Sequence, residues 1–386
     1  MVVAQDVFER ATALIGTYEE ELRGLIPDGA EIFDAHVHVG TDIDGFVAPL
    51  DDLLGTMRRH GISRAFGFCL DEPDRHPAFR AANDRTLEAA ERSEGMLIPF
   101  VRLDLAVEPL EEARRCLDRG ARGIKLHPRA QRFHLTDEGL SPIFALAAER
   151  GVPILIHGGR GLPPIAEALH RLVEAHPKAQ LIIAHGGIAD LSDLADALAG
   201  RPGVFFDTSV WSPVDLIGVY RRFSPEQALY ASDYPYGQQP SSLLIALKTA
   251  RAAGFDDEQI RDMLGRSARR IAAGEPPRAT SEPSREETFE QPISFARIHN
   301  YLAMATPLLW TRQADTIGVL GLALNACRER DGHVEARERI AELLVCAREL
   351  WRTSAEAEDE AERIRLGRTT FRLIHLADIE TVTASG

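Results

Sequence analysis

Eight short β-rich apolar runs, each followed by a helix-like stretch, predict an α/β fold. The expected architecture is a (β/α)8 (TIM) barrel with an N-terminal helix in front and a mostly helical C-terminal appendage behind. Three observations carry this expectation. The alternation repeats at roughly 25–30 residues per unit, it persists for about 240 residues, and polar residues gather at the C-terminal ends of the runs. A doubly wound open sheet, built from the same alternation, is the rival arrangement.

The elements follow in order. Residues 3–25 place Val7, Ala11, Leu14, Ile15, Tyr18 and Leu22 at helical spacing, giving an amphipathic helix within a lead segment, 1–30. The β runs are EIFDAHVHV (31–39), RAFGFCL (64–70), MLIPFVRLD (96–104) and GARGIKLHP (120–128), then VPILIHGG (152–159), QLIIAHGG (180–187), VFFDTSV (204–210) and ALYASDYP (228–235). Between them lie helical patterns such as EPLEEARRCLDRG, PIFALAAERG and IAEALHRLVEAHP, several closing on Gly or Pro, the residues that stop helices. DEQIRDMLGRSARRIAAG completes a barrel domain, 31–274. The stretch 275–292, rich in Pro, Ser, Thr and charge, reads as a linker or extended arm. In the helical region 293–386, Ile340, Leu343, Leu344, Ala347, Leu350 and Trp351 form one apolar stripe. The segment 314–326 is apolar nearly all round and needs cover from this region, from the barrel or from a second subunit, so a homo-oligomer is expected. TTFRLIHLADI fits either a helix or a strand.

The chain has 386 residues, more than one ordinary domain needs, and a formal charge of -15 that argues against nucleic acid or an anionic membrane surface as its main partner. No apolar run is long enough to span a membrane, and the first residues lack a basic-then-apolar export pattern. Cys69, Cys116, Cys327 and Cys346 are scattered without metal-ligand spacing, as in a cytoplasmic protein with reduced thiols.

In a barrel of this kind, chemistry sits at the C-terminal ends of the strands. His36 and His38 end the first run, two residues apart and therefore on one side. Lys125 and His127 end the fourth, His157 the fifth and His185 the sixth; Asp207 falls in the seventh and Asp233 ends the eighth. Any one of these has a bland reading as a turn, cap or satisfied core residue. Together they would gather imidazoles, an amine and a carboxylate at one mouth, where desolvation is costly without a partner that a divalent cation supplies. Imidazole and carboxylate donors suit Zn²⁺ first, with Mn²⁺ or Fe²⁺ as alternatives.

DAHVHVG, GIKLHP, PILIHGG, LIIAHGG, FFDTSV and LYASDYP, in this order, resemble the amidohydrolase-related (amidohydrolase 2) branch of the amidohydrolase superfamily over residues 31 to about 274. The resemblance implies a metal-dependent barrel. It places His36, His38, His157 and Asp233 at the metal-ligand positions. His185 falls at the sixth-strand position, which binds a second metal or acts on substrate and water. It leaves two roles open for Lys125, a carboxylated bridge between two ions or a cation that binds substrate. It does not reach residues 293–386.

The expected function is metal-dependent hydrolysis of an amide, ester or lactone of a small, anionic, carboxylate-bearing molecule. Asp233 is the candidate general base, and His185 the hydrogen-bond donor to the developing oxyanion. Non-oxidative decarboxylation of a small unsaturated or aromatic acid is the alternative, and an idle barrel serving as a scaffold is the non-enzymatic one. Arg102, Arg160 and His127 are candidate substrate contacts, with Trp211, Tyr234 and Tyr236 as pocket walls and Arg129, Gln131 and Arg132 as minor candidates.

Overall fold

The computed structural model describes residues 2–283, 291–311, 313, 315–329 and 332–383. Residues 284–290 of the expected arm and residue 314 of the apolar segment lie outside the described residues.

Helix α1 (Val2–Leu25) buries Val7, Ala11, Ile15, Tyr18 and Leu22, the stripe its sequence presents. The strands are β1 (Ile32–Thr41), β2 (Val47–Ala48), β3 (Ile62–Cys69), β4 (Leu97–Arg102), β5 (Gly123–Leu126), β6 (Pro153–Ile156), β7 (Gln180–Ile183), β8 (Val204–Asp207) and β9 (Ala228–Leu229). They form one curled sheet in the order β2-β1-β3-β4-β5-β6-β7-β8-β9, parallel throughout except for the β1–β2 pair. The short β2, which the β/α rhythm does not announce, folds back on β1 as a hairpin at the mouth. Backbone bonds tie β1 to the segment after β9: Ala35 N to Tyr230 O at 2.8 Å, Asp233 N to His36 O at 2.9 Å and His38 N to Tyr234 O at 2.7 Å.

The connecting helices are α2 (Leu50–Arg59), α3 (Arg80–Arg92), α4 (Pro109–Asp118), α5 (Pro128–Gln131), α6 (Leu140–Arg150), α7 (Ala166–Ala175), α8 (Leu191–Leu198), α9 (Pro213–Arg222), α10 (Gln239–Ala252), α11 (Asp257–Arg261) and α12 (Ser267–Ala272). One π turn, Asp262–Arg266, separates α11 from α12 where the sequence suggests a single helix. Gly265 passes so near β1 that a Cβ there would stand 2.4 Å from the Glu31 carbonyl oxygen. Inside the curl, Phe33, Phe66, Phe68, Phe100, Leu155 and Ile182 pack together, and Ala268 and Ile271 of α12 close one end. The opposite end stays polar and carries the site.

The C-terminal region consists of α13 (Ile293–Trp310), α14 (Thr316–Ala326), α15 (Val334–Glu356) and α16 (Glu360–Thr383). TTFRLIHLADI is helical because Leu366, Thr370, Leu373, Ile374 and Ala377 bury one face at helical spacing. Helix α16 packs on α13 and α15 and also on α1, α9 and α10. Of the arm, residues 275–283 run along the sheet: Ser281 donates to Glu226 Oε2 through its backbone at 3.1 Å and its hydroxyl at 2.9 Å. No described helix is long and apolar enough to cross a membrane.

Candidate metal centre

The site begins with an irregularity in β1. Its pairing with β3 shifts register between Asp34 and Val37. Asp34 Oδ1 holds the distortion, accepting from His36 N at 3.2 Å and from Ser232 N at 2.9 Å, while Gln239 Nε2 donates to Oδ2 at 3.0 Å. The bulge resets the in–out alternation: Phe33 and Ala35 face the interior, Val37 and Val39 face the helices, and His36 and His38 join the mouth.

Three donor atoms converge there. His36 Nε2 lies 3.1 Å and His38 Nε2 3.2 Å from Asp233 Oδ1, and the three side chains offer donors within 4.8 Å of one another, all buried. Lys125 Nζ is 3.4 Å from His36 Nε2. Burial pushes the Lys125 amine down to about 7 against the pull of Asp207 and Asp233. Burial opposes charge on Asp233, yet His36 and His38 hold its carboxyl well below the usual range. Burial also brings His38 down to about 4. At His36, burial and Lys125 push down, but Asp233 and Asp207 together outweigh them and the net is upward.

A chain of hydrogen bonds sets the tautomers. Asp207 Oδ2 accepts from His36 Nδ1 at 2.8 Å, which leaves the Nε2 lone pair facing His38 and Asp233. Asp207 Oδ1 accepts the Ser209 hydroxyl at 2.5 Å and the His185 backbone N–H at 2.8 Å. The Ser209 carbonyl only accepts, so His185 Nδ1, 2.9 Å away, carries the proton. His185 Nε2 then accepts from His157 Nδ1 at 3.0 Å, and the His157 Nε2 lone pair is left for a ligand. His127 stacks on His157 at 3.9 Å, and burial with Lys125 and Arg102 presses His127 down to about 2. Burial first, then His185 and His127, keeps His157 well below its usual range; burial also lowers His185. Gly159 is required by this crowding, because a Cβ there would stand 2.9 Å from both His157 Cε1 and His185 Cδ2.

The structure therefore brings together His36, His38 and Asp233 with Lys125 beside them, and sets His127, His157 and His185 against that group through the 5.3 Å contact of the His36 and His185 rings. Tyr236 lies edge-on to His38 at 5.5 Å and donates to Asp42 Oδ2 at 2.9 Å. Arg102 pairs in register with Lys125, is 3% exposed, and has Nε and Nη2 buried without hydrogen-bond partners. Asp71 is its nearest acid, at 3.8 Å. Arg160 is elsewhere: its side chain is 76% exposed and paired with Asp215 at 2.8 Å. Trp211 turns toward α16, packing on Phe371 at 5.0 Å. Asp34 and Ser209 complete the site without having been singled out from the sequence, and Asp207, placed at the mouth by the sequence, had no role assigned to it. Asp207 and Ser209, two apart at a strand end like His36 and His38, were the available signal.

The residues present fit a divalent cation. Two imidazole nitrogens and one carboxylate oxygen converge in a buried pocket, His36 is oriented by a carboxylate behind it, and His38 Nδ1 is buried without a partner.

A family model described as amidohydrolase matches residues 33–271. Among solved structures, an uncharacterised TIM-barrel protein from Bordetella bronchiseptica aligns with a TM-score of 0.51 at 18% identity, over 63% of this chain and 99% of its own. A Staphylococcus aureus chain described as a candidate amidohydrolase aligns at 0.50 and 15%, over 63% and 99%. The 4-oxalomesaconate hydratase of Rhodopseudomonas palustris aligns at 0.49 and 18%, over 63% and 96%. The first two show a shared fold. No curated protein matches the chain.

Proposed function

We propose, from the premise that this chain belongs to the amidohydrolase family, that it is a metal-dependent hydrolase of an amide, ester or lactone in a small carboxylate-bearing molecule. The observation that carries this reading is the convergence of His36 Nε2, His38 Nε2 and Asp233 Oδ1, together with a buried Arg102 on the strand next to Lys125 whose Nε and Nη2 make no hydrogen bond. The scaffold is read as a closed (β/α)8 barrel spanning 31–274, supported by the backbone bonds between β1 and residues 230–234. On this reading 1–30 is a lead helix, 275–292 an arm and 293–386 a helical region of its own.

His36, His38, His157 and Asp233 are proposed to hold the ion, zinc first and manganese or iron as alternatives. Such an ion supplies Lewis acidity to a carbonyl and lowers the pKa of a water molecule. The protein's own groups do the rest. Asp233, kept ionised beside His36 and His38, is poised to accept a proton at Oδ and pass it to the leaving group. His185, anchored through Nδ1 to Ser209 and through Nε2 to His157 Nδ1, is proposed to act on the substrate beside the ion. Arg102 offers Nε and Nη2 to a substrate carboxylate, and the aromatic faces of Tyr236 and His127 wall the space beside the imidazoles.

Non-oxidative decarboxylation is the second reading, favoured by the single three-ligand group among the described residues. A second ion, bound by His185 and a carboxylated Lys125, would favour hydrolysis instead. Counting metal per chain by plasma mass spectrometry tests this: two ions favour hydrolysis, and one ion with a free Lys125 amine keeps decarboxylation open. The site itself is tested by His36→Asn/His38→Asn: metal content should fall to background, and retention of a full complement would sink the assignment. A homo-oligomer is also proposed, prompted by the exposed Leu322 and Val334 of the C-terminal helices, with solution mass as the check.

A further inference from the structure

Helix α16 lies outside the matched residues 33–271, yet it reaches the loops that hold the site. Phe371, Arg372 and His375 face Ser209, Trp211 and Gly237 across a narrow cleft. His375 Nε2 donates to the Trp211 carbonyl at 3.2 Å, and the Trp211 ring packs on Phe371 at 5.0 Å and on His375 at 6.5 Å. Trp211 is two residues from Ser209, whose carbonyl fixes the Nδ1 proton of His185 and whose hydroxyl is held by Asp207. Thr208 secures the same segment from the other side, its hydroxyl accepting from Ala231 N at 3.0 Å, two residues before Asp233. Gly237, on the far wall of the cleft, donates to the Asp233 carbonyl at 2.9 Å.

These contacts run in one direction. The Trp211 carbonyl is held by His375 and the Ser209 carbonyl by His185, and a segment pinned at both points holds the side chains between them. Burial pushes the His375 imidazole below its usual range, and the Trp211 carbonyl, which only accepts, places a proton on Nε2.

We propose that α16 is a brace for the active site, and that His375 is a positioning residue for His185, acting through the Trp211 carbonyl and the Ser209 segment. The proposal rests on reading His185 as an active-site imidazole. It makes the C-terminal helices a working part of the site rather than a separate appendage.

The test compares His375→Leu, which removes the donor, with His375→Gln, which keeps one. In the metal-free full chain, histidine-ring ¹⁵N NMR, with His185 assigned by its own substitution, should show the proton confined to Nδ1 in the parent and in His375→Gln. In His375→Leu the signal should shift to a mixture of tautomers. Titration with Co²⁺ should show His375→Leu binding roughly three- to tenfold more weakly with an altered visible spectrum, and His375→Gln close to the parent. Parent-like tautomer and Co²⁺ affinity in His375→Leu would overturn the brace. So would equal losses in both variants that track a lowered urea midpoint, since the role would then be packing alone. If the parent takes up no Co²⁺, the metal reading fails, while the tautomer readout still decides the brace.

Discussion

Asp207 decides which nitrogen of His36 faces the cation pocket, and this illustrates how far single residues could be read in advance. The His36–Val37–His38 pattern was legible because strand geometry places alternate residues together. The function of Asp207 was not, because a carboxylate behind a ligand is contributed by a strand 171 residues away. The two arginines make the same point. Arg102 and Arg160 are equivalent candidates in sequence, but one is 3% exposed, with two nitrogens free of hydrogen bonds and Asp71 3.8 Å away, and the other is a solvated ion pair with Asp215. A charge-assisted hydrogen bond contributes about 1.5–3 kcal/mol, so Arg102→Met should weaken binding of a carboxylate ligand by ~10–100-fold. A thermal-shift screen of small mono- and dicarboxylates, followed by calorimetry on any hit, checks this. Unchanged affinity in the variant would remove Arg102 from the site. The corresponding change at Arg160 should have little effect, as exposed pairs contribute little.

At the scale of elements, the period-2 and period-3.6 patterns placed the strands and helices, but the strands are shorter than their apolar runs. Residues 157–159, 184–187 and 208–210 leave the ladder because their backbone groups bond to loops and side chains, as Asp207 does with His185 N and Ser209 N. The β1 bulge was hidden because it depends on Asp34 meeting Ser232 from the far end of the sheet. TTFRLIHLADI became a helix because its partners, α10, α13 and α15, require a one-sided apolar stripe. That helix also carries a pH-dependent contact. His299 of α13 meets Asp378 of α16 at 2.7 Å; burial opposes charge on the imidazole, but Asp378 outweighs it and the net shift is upward. A raised folded-state value means the stabilisation is complete below the unfolded value near ~6.5 and is lost as pH rises through the folded one. His299→Gln should therefore cost more stability at about pH 5.5 than at about pH 8.5, as read from urea midpoints. An equal cost at both would show that the contact is packing rather than charge.

At the scale of the molecule, the C-terminal helices are joined to the helices around the curled sheet by buried charge as well as by apolar surface. Glu380, fully buried, meets Lys248 of α10 at 2.6 Å and Arg339 of α15 at 3.0 Å, and Lys248 also reaches Glu21 of α1 at 3.0 Å. Removing residues 293–386 would strip Lys248 of that partner and uncover the faces of α1, α9 and α10 that α16 covers. Leu373, Ile374, Leu376, Ile379 and Val382 are buried, and each such side chain contributes about 1.5–3 kcal/mol, a sum comparable with the ~5–15 kcal/mol stability of a whole domain. The truncated chain should express as aggregate or show a much lower melting temperature; a stable, metal-binding product would show the region to be dispensable. By itself the sequence determined the alternating α/β order, the family and the pair of histidines that opens the site, because these depend on local periodicity and on motifs within single strands. Only the tertiary structure decided which arginine lies buried, which carboxylate orients His36 and that α16 reaches the loops around the candidate metal centre. Each of those depends on which distant segments are brought into contact, and burial and hydrogen-bond partners exist only once the chain has closed on itself.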